Sequence, residues 1–206
     1  YNTAVGQRVW TTLSTGTVGL NGAVYAIAVL DSTTIYVGGA FTTAGGTTVN
    51  YIAKYTTASQ AWSALNGAAG TIGVNSQVRA LAISGTDLYV GGYFSTAGNV
   101  TVNRVAKWNT AAETWSALAS GVNGYVLALA ADGTTIYAGG SFTLAGGITG
   151  TARVAKWNGS AWSALSSGIA NGNVMALTVI GGNLYAGGTF TTAGGSLKRK
   201  RRLKGR

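Results

Sequence analysis

A short block recurs four times along the chain, and this recurrence narrows the possible folds more than any other feature. It reads Ile35-Tyr36-Val37-Gly38-Gly39-Ala40-Phe41, then Leu88-Tyr89-Val90-Gly91-Gly92-Tyr93-Phe94, Ile136-Tyr137-Ala138-Gly139-Gly140-Ser141-Phe142 and Leu184-Tyr185-Ala186-Gly187-Gly188-Thr189-Phe190, with a similar Ala-Gly turn after each copy. Successive glycine pairs stand 53, 48 and 48 residues apart. A Trp-Ser-Ala-Leu block begins at Trp62, Trp115 and Trp162, with Trp10-Thr11-Thr12-Leu13 as a worn copy. Before it come Ile52-Ala53-Lys54-Tyr55, Val105-Ala106-Lys107-Trp108 and Val154-Ala155-Lys156-Trp157. A last block precedes each glycine pair and starts at Val24, Val78, Val126 and Val174.

Each repeat thus holds four short runs of β-branched, aromatic and small apolar residues, separated by Gly, Asn, Asp, Ser and Thr, the pattern of four strands joined by turns. None is long enough for a typical helix. A period of roughly 40–50 residues with four strands is the mark of a propeller blade, whereas a β-solenoid would have shorter repeats. The expected fold is therefore all-β, a β-propeller of four-stranded antiparallel blades in four repeats. Composition agrees: 33 glycines without a proline suit many tight turns, and 47% hydrophobic against 9% charged residues suits a packed core.

The blocks have different expected places. The run containing Ala80, Ala128 and Ala176 is the expected innermost strand, where blades converge and large side chains would collide. Glycine pairs inside a strand mark a bulge or a close backbone approach. Asp31, Asp87, Asp132 and Asn183 fall at the first hairpin turns, where short polar side chains bond their own backbone and tolerate positive φ. The repeats span about 24–65, 77–118, 125–165 and 173–195. Together with a strand at 8–13 they make one propeller domain over residues 1–195, followed by a basic tail at 196–206, expected to be disordered. The last repeat lacks its outer half and the first strand lacks its blade, so pairing of the two would close the ring. The alternative is an arc of a larger ring, or assembly with other copies. A start at Tyr1 suggests a processed product or an excised piece, and the opening residues lack the order of a signal peptide.

These blocks resemble Kelch-like propeller repeats of bacterial secreted or surface proteins and giant DNA viruses. The resemblance is carried by Leu88 to Gly98, Arg104 to Asn109, Trp115 to Leu118 and their equivalents, over nearly all of Trp10 to Gly195. It implies a propeller in an extracellular or virion-associated setting, and no single activity.

The chemistry available is narrow. With no histidine and no cysteine, the commonest general base, the usual nucleophile pairings, most transition-metal sites and any disulfide are excluded. The acids are Asp31, Asp87, Glu113 and Asp132; those in matching turns of different blades should lie too far apart for a glycosidase pair at about 5–10 Å. The glycine blocks lack the Lys-Ser/Thr of a phosphate-binding loop. No enzyme, no metal, no cofactor and no membrane span are expected. The formal charge of +10 belongs to the tail, where Lys198, Arg199, Lys200, Arg201, Arg202, Lys204 and Arg206 are half of all the basic residues.

Three functions fit. The first is a non-catalytic binding or assembly module on a virion or cell surface, with a protein partner or further copies of itself. The second is a lectin, in which Tyr55, Trp108 and Trp157 stack on glycans between blades, although regular recurrence favours blade packing for these rings. Lys54, Lys107 and Lys156 would line such sites or meet an anionic partner, their stems laid on aromatics. The third is association with nucleic acid, an acidic surface or anionic lipid through the tail.

Overall fold

The computed structural model describes Leu13, residues 19–67, residues 70–194 and the backbone of Ser196–Leu197. Among these residues the chain is built from strands. β1 (Val24–Val29), β2 (Thr34–Gly39), β5 (Ile52–Thr56) and β6 (Ala61–Ala64) form the first antiparallel sheet in that order, and β3 (Thr43–Ala44) pairs with β4 (Thr47–Thr48) in the connection. The second sheet repeats this with β7 (Val78–Ser84), β8 (Asp87–Gly92), β11 (Val105–Asn109) and β12 (Thr114–Ala117), beside the ribbon β9 (Thr96–Ala97) and β10 (Val100–Thr101). β13 (Val126–Asp132), β14 (Thr135–Gly140), β15 (Val154–Trp157) and β16 (Trp162–Ala164) form the third. The fourth holds β17 (Val174–Ile180) and β18 (Asn183–Gly188), with the ribbon β19 (Thr192–Ala193) and β20 (Ser196–Leu197).

The alanine-bearing strands are innermost: β1 packs on β7, β7 on β13 and β13 on β17. Each carries a register shift at its second residue, opposite the glycine pair. There the first glycine of the pair receives the next sheet. A Cβ on Gly38, Gly91 or Gly139 would strike Val78, Val126 or Val174 respectively, three valines that are fully buried. The second glycine faces backbone: a Cβ on Gly39, Gly92 or Gly140 would strike the carbonyl of Ala23, Gln77 or Tyr125. Both expectations for the pair, bulge and close approach, hold, and they belong to different partners.

Tryptophans join the outer parts of the sheets. Trp115 donates its Nε1–H to the Leu65 carbonyl at 3.4 Å and Trp162 to the Leu118 carbonyl at 2.9 Å, each reaching the outer end of the preceding sheet. Phe41, Phe94 and Phe142 are fully buried at equivalent places. An asparagine clamp recurs as well. The Oδ1 atoms of Asn21, Asn75 and Asn123 each accept two backbone N–H groups, from Thr42 and Thr43, Ser95 and Thr96, and Thr143 and Leu144.

The turns differ from expectation in one respect. Asp31 does bond its own turn, accepting from the Thr33 N–H and hydroxyl at 2.7 Å. Positive φ, however, is taken by Gly85, Gly133, Gly181 and Gly182, because glycine enters that region without steric cost. Asp87 is freed to open β8, where it accepts from Lys107 and Asn109. The proposed pairing of strand 8–13 with the last repeat falls almost wholly outside the described residues. Among those described, the first and last sheets end in exposed apolar side chains: Ile27 and Val29 on β1, Met175 and Ile180 on β17, and Tyr185 on β18. No helix among the described residues is long and apolar enough to cross a membrane.

Candidate functional site

Tyr55, Trp108 and Trp157, the expected stacking rings, pair across neighbouring strands with Trp62, Trp115 and Trp162. Their centroids lie 4.9, 5.1 and 5.4 Å apart, tilted by 55–57°. Tyr55 is 5% exposed, Trp108 3% and Trp157 6%, so no face is open for a sugar in this arrangement. Tilted aromatic pairs contribute about 0.5–1.5 kcal/mol beyond their burial, which makes them part of the walls between sheets.

The lysines of the same strands are half-buried. Lys54 reaches Glu113 of the next sheet at 3.2 Å, Lys107 reaches Asp87 of its own sheet at 3.1 Å, and Lys156 has no ion pair among the described residues. Partly exposed pairs of this kind contribute about 0–1 kcal/mol. The lysines stand in different sheets and do not converge on one place. The tail residues Lys198, Arg199, Lys200, Arg201, Arg202, Lys204 and Arg206 lie outside the described residues.

A different cluster does converge. At the end of the molecule where the glycine pairs lie, the Arg79 guanidinium sits 4.0 Å from the Tyr25 ring centroid and 5.3 Å from that of Tyr93. Tyr93 in turn stacks on Tyr125 with centroids 4.3 Å apart, and Arg104 lies 5.7 Å from the Tyr125 ring. The row crosses three sheets. Tyr25 and Tyr125 remain 43% and 46% exposed, so ring area faces solvent at both ends of the row. Beside it a cleft of about 280 Å³ opens between the second and third sheets, lined by Asn103, Arg104, Ser120, Asn123 and Leu144 among others.

Backbone geometry fixes this row. Arg79 occupies the bulge position of β7, where the register shifts, and Tyr25 occupies the same position of β1. Arg104 lies in the left-handed region at φ 64°, as do its equivalents Tyr51 at 69° and Arg153 at 65°. Such a conformation is strained for a bulky residue and persists only where the surroundings enforce it. Here they do. The Arg104 N–H donates to the Phe94 carbonyl at 3.0 Å, its own carbonyl accepts from Gly92, and its guanidinium also donates to the Phe94 carbonyl at 3.1 Å.

Charge is divided between the two ends. All four carboxylates of the chain, Asp31, Asp87, Glu113 and Asp132, stand at or beside the β1–β2, β7–β8, β11–β12 and β13–β14 turns, at the far end of the strands. Arg79, Arg104 and Arg153 stand at the near end, and their described partners are uncharged: the Gln77 side chain for Arg79, and backbone carbonyls for the other two. Inspection of the shared blocks misses this cluster because its members differ from repeat to repeat. Tyr25 and Arg79 replace one another at one position, and Tyr93 and Tyr125 have small or polar equivalents. Those departures were the available signal.

Comparison with known proteins agrees with this architecture. The model of the Rax2 C-terminal beta propeller domain matches residues 69–183, more than half of the chain. A second propeller model, described as a domain of unknown function (DUF5122) beta-propeller, matches residues 34–59. No curated protein matches the sequence. Among solved structures, the chain is similar to the RRP9 WD40 repeats with a TM-score of 0.50 and 15% identity, over 78% of this chain and 43% of that one. It is also similar to the extracellular domain of the putative one component system BT4673 from B. thetaiotaomicron, with a TM-score of 0.48 and 16% identity, over 81% of this chain and 20% of that one. The chain therefore spans less than half the length of either solved structure, and the WD40 likeness is one of fold alone. Four repeated antiparallel sheets packed along their inner strands, and a family match that spans the second and third sheets and β17, show that this chain belongs to the Rax2 C-terminal beta propeller family.

Proposed function

We propose that the chain is a non-catalytic binding module that holds an acidic segment of a partner protein against the row Tyr25, Arg79, Tyr93, Tyr125 and Arg104. The observation that carries this reading is the separation of charge, with the Arg79 guanidinium between the Tyr25 and Tyr93 rings and Arg104 beside Tyr125 at one end, and the side-chain carboxylates Asp31, Asp87, Glu113 and Asp132 at the other. A carboxylate brought to Arg79 or Arg104 gains a charge-assisted, two-pronged hydrogen bond, while the rings offer stiff apolar area at little entropic cost. No carboxylate stands at this end among the described residues, so approach of an acidic chain is favoured from a distance.

The test is titration of a fluorescent Glu- and Asp-rich peptide library against the chain and against Arg79→Ala with Arg104→Ala. The expected result is binding that weakens with salt and falls at least about tenfold in the double variant, the loss of roughly 1.4 kcal/mol or more. Equal binding by the two proteins would dispose of the reading.

The Kelch-like kinship and display on a cell or virion surface belong to the same proposal and are supported by the resemblance of the repeated blocks. A nucleic-acid role for the basic tail is supported by its composition alone: deleting Leu197–Arg206 should then abolish retention on nucleic acid together with its steep salt dependence.

A further inference from the structure

Arg104 and Arg153 occupy equivalent places, just before β11 and β15, and share the same backbone conformation at φ 64° and 65°. Each guanidinium donates through Nη1 to the carbonyl of the phenylalanine that follows the glycine pair, Phe94 at 3.1 Å and Phe142 at 3.2 Å. There the likeness ends. Arg153 also gives its Nε–H to the Gly172 carbonyl, in the segment leading to the next sheet, at 2.8 Å. Arg104 has no partner for Nε or Nη2 among the described residues, and the Tyr125 ring lies 5.7 Å from its guanidinium. The connecting segments explain the difference. From Gly168 to Val174 the chain is one residue longer than from Gly121 to Val126. Gly172 takes φ 66° in that longer segment, while its counterpart Gly124 stays out of the left-handed region. One arginine therefore meets a carbonyl and the other does not. In the first sheet the equivalent residue is Tyr51, which offers no cation.

Arg104 lines the cleft of about 280 Å³ between the second and third sheets, together with Asn103, Ser120, Val122, Asn123 and Leu144. The polar groups there are unequally engaged. Asn123 spends its whole side-chain amide within the third sheet, Oδ1 accepting from the Thr143 and Leu144 N–H groups and Nδ2 donating to the Thr143 hydroxyl at 2.8 Å. Asn103 donates to the Ser120 carbonyl at 2.8 Å, but neither its Oδ1 nor the Ser120 hydroxyl has a partner among the described residues. Leu144 stands where the other repeats have Thr43, Thr96 and Thr192, so an apolar wall at this position is particular to the third repeat. What these residues leave unengaged is one edge of a guanidinium, a hydroxyl, one acceptor oxygen and an apolar flank. Two parallel N–H groups of a guanidinium match the two oxygens of a single carboxylate, and the Asn103 oxygen suits a peptide N–H beside it. A phosphoryl group brings more negative charge and no donor, and would set an oxygen against Asn103 Oδ1.

We infer that this cleft is the socket for one aspartate or glutamate side chain, its carboxylate on the Nε and Nη2 edge of Arg104 and its stem against Val122 and Leu144, and that Arg153 takes no part. The inference rests on the acidic partner proposed above and adds which arginine fixes the register of that segment.

The probe is N-acetylglutamate N-methylamide, a single carboxylate with a peptide group on each side. It is titrated against the full chain, with its neutral glutamine analogue and inorganic phosphate as separate arms. NMR follows the arginine Nε–H signals and the Val122 and Leu144 methyls. The expected result is saturable shifts at Arg104, Val122 and Leu144 with the glutamate compound, binding at least about tenfold weaker with the other two, and no shift at Arg153. Arg104→Gln, which keeps a donor for the Phe94 carbonyl, should weaken the methyl response about tenfold or more, and Arg153→Gln should leave it unchanged. The titration of the wild-type chain decides even where Arg104→Gln fails to fold. Equal shifts at Arg104 and Arg153, tighter binding of phosphate, or cleft signals that stay still would each overturn the inference. If the acidic peptide library binds while the cleft signals stay still, the partner stands and the socket falls. If the glutamate compound fills the cleft while the library does not bind, the socket stands and the acidic partner falls.

Discussion

Replacing Gly139 and Gly187 in turn by alanine asks whether the glycine pair is there for the neighbouring sheet or for the strand itself. The two glycines are equivalent in sequence and both lie in extended strand, neither in the left-handed region. At Gly139 the added Cβ would stand 2.5 Å from Val174 Cγ1, 3.0 Å from Val174 Cβ and 3.1 Å from Leu177 Cδ1. Carbon atoms in contact prefer about 3.5–4.0 Å, so β14 and β17 must separate by about 1 Å or Val174 must leave its rotamer. Val174 is β-branched and fully buried, so it yields little. Overpacking of this kind costs about 1–3 kcal/mol.

At Gly187 the same Cβ finds, among the described residues, only ordinary contact with Ala176. There the loss of unfolded-chain freedom should dominate and stabilise by about 0.4–1 kcal/mol. For a chain of this size 1 kcal/mol shifts Tm by about 2–4 °C, so circular dichroism melts should show a fall of about 2–12 °C for Gly139→Ala and a rise of about 1–4 °C for Gly187→Ala. Adding Val174→Ala to Gly139→Ala should return part of the loss, since the colliding methyl is then gone. Shifts of the same sign and size at the two glycines would refute the reasoning and assign the pair to strand geometry alone.

Other perturbations bear on the remaining contacts. Asn123→Ala removes the acceptor of two backbone N–H groups and should lower stability by about 1–3 kcal/mol in urea titration, with Asn75→Ala alike. Hydrogen bonds from Thr33 hold the Asp31 carboxyl below its ordinary range. Its small contribution is therefore present above the unfolded carboxylate range and is lost as pH falls through the depressed value; NMR titration should show the midpoint rise toward normal in Thr33→Val. Burial pushes the Tyr36 and Tyr89 phenols above the ordinary value, so alkaline absorbance titration should show two phenols ionising late, their contribution to stability fading as pH climbs from the ordinary phenol range through the raised values.

What was legible in the sequence is whatever the repeats share. The sheets, the inner alanine strands, the bulge at the glycine pair and the tryptophan walls all rest on residues present in at least three repeats, because each sheet must meet its neighbour in the same way. Val78, Val126 and Val174 have to be alike for Gly38, Gly91 and Gly139 to be alike. The recurring rings follow the same logic: Tyr55, Trp108 and Trp157 are buried against Trp62, Trp115 and Trp162 as walls between sheets. Asp87 shows the finer limit, since only the structure reveals that glycine in the preceding turn releases it to pair with Lys107.

A repeated scaffold also dictates where to look for binding. A position that packs the same neighbour in every sheet is held to one shape, so variation collects where the strands meet solvent. The bulge residue is such a place: the register shift turns it out of the ladder, and it is Tyr25, Arg79, Leu127 and Met175 in turn. The residue after the glycine pair is another, as Ala40, Tyr93, Ser141 and Thr189. Among the described residues only the first two sheets hold a ring or a guanidinium at these positions, as Tyr25, Arg79 and Tyr93, and Tyr125, which precedes β13, extends the row. Because rigid backbone on each side sets their spacing, one end of an otherwise repetitive molecule acquires a distinct chemistry without any change to the walls that hold it.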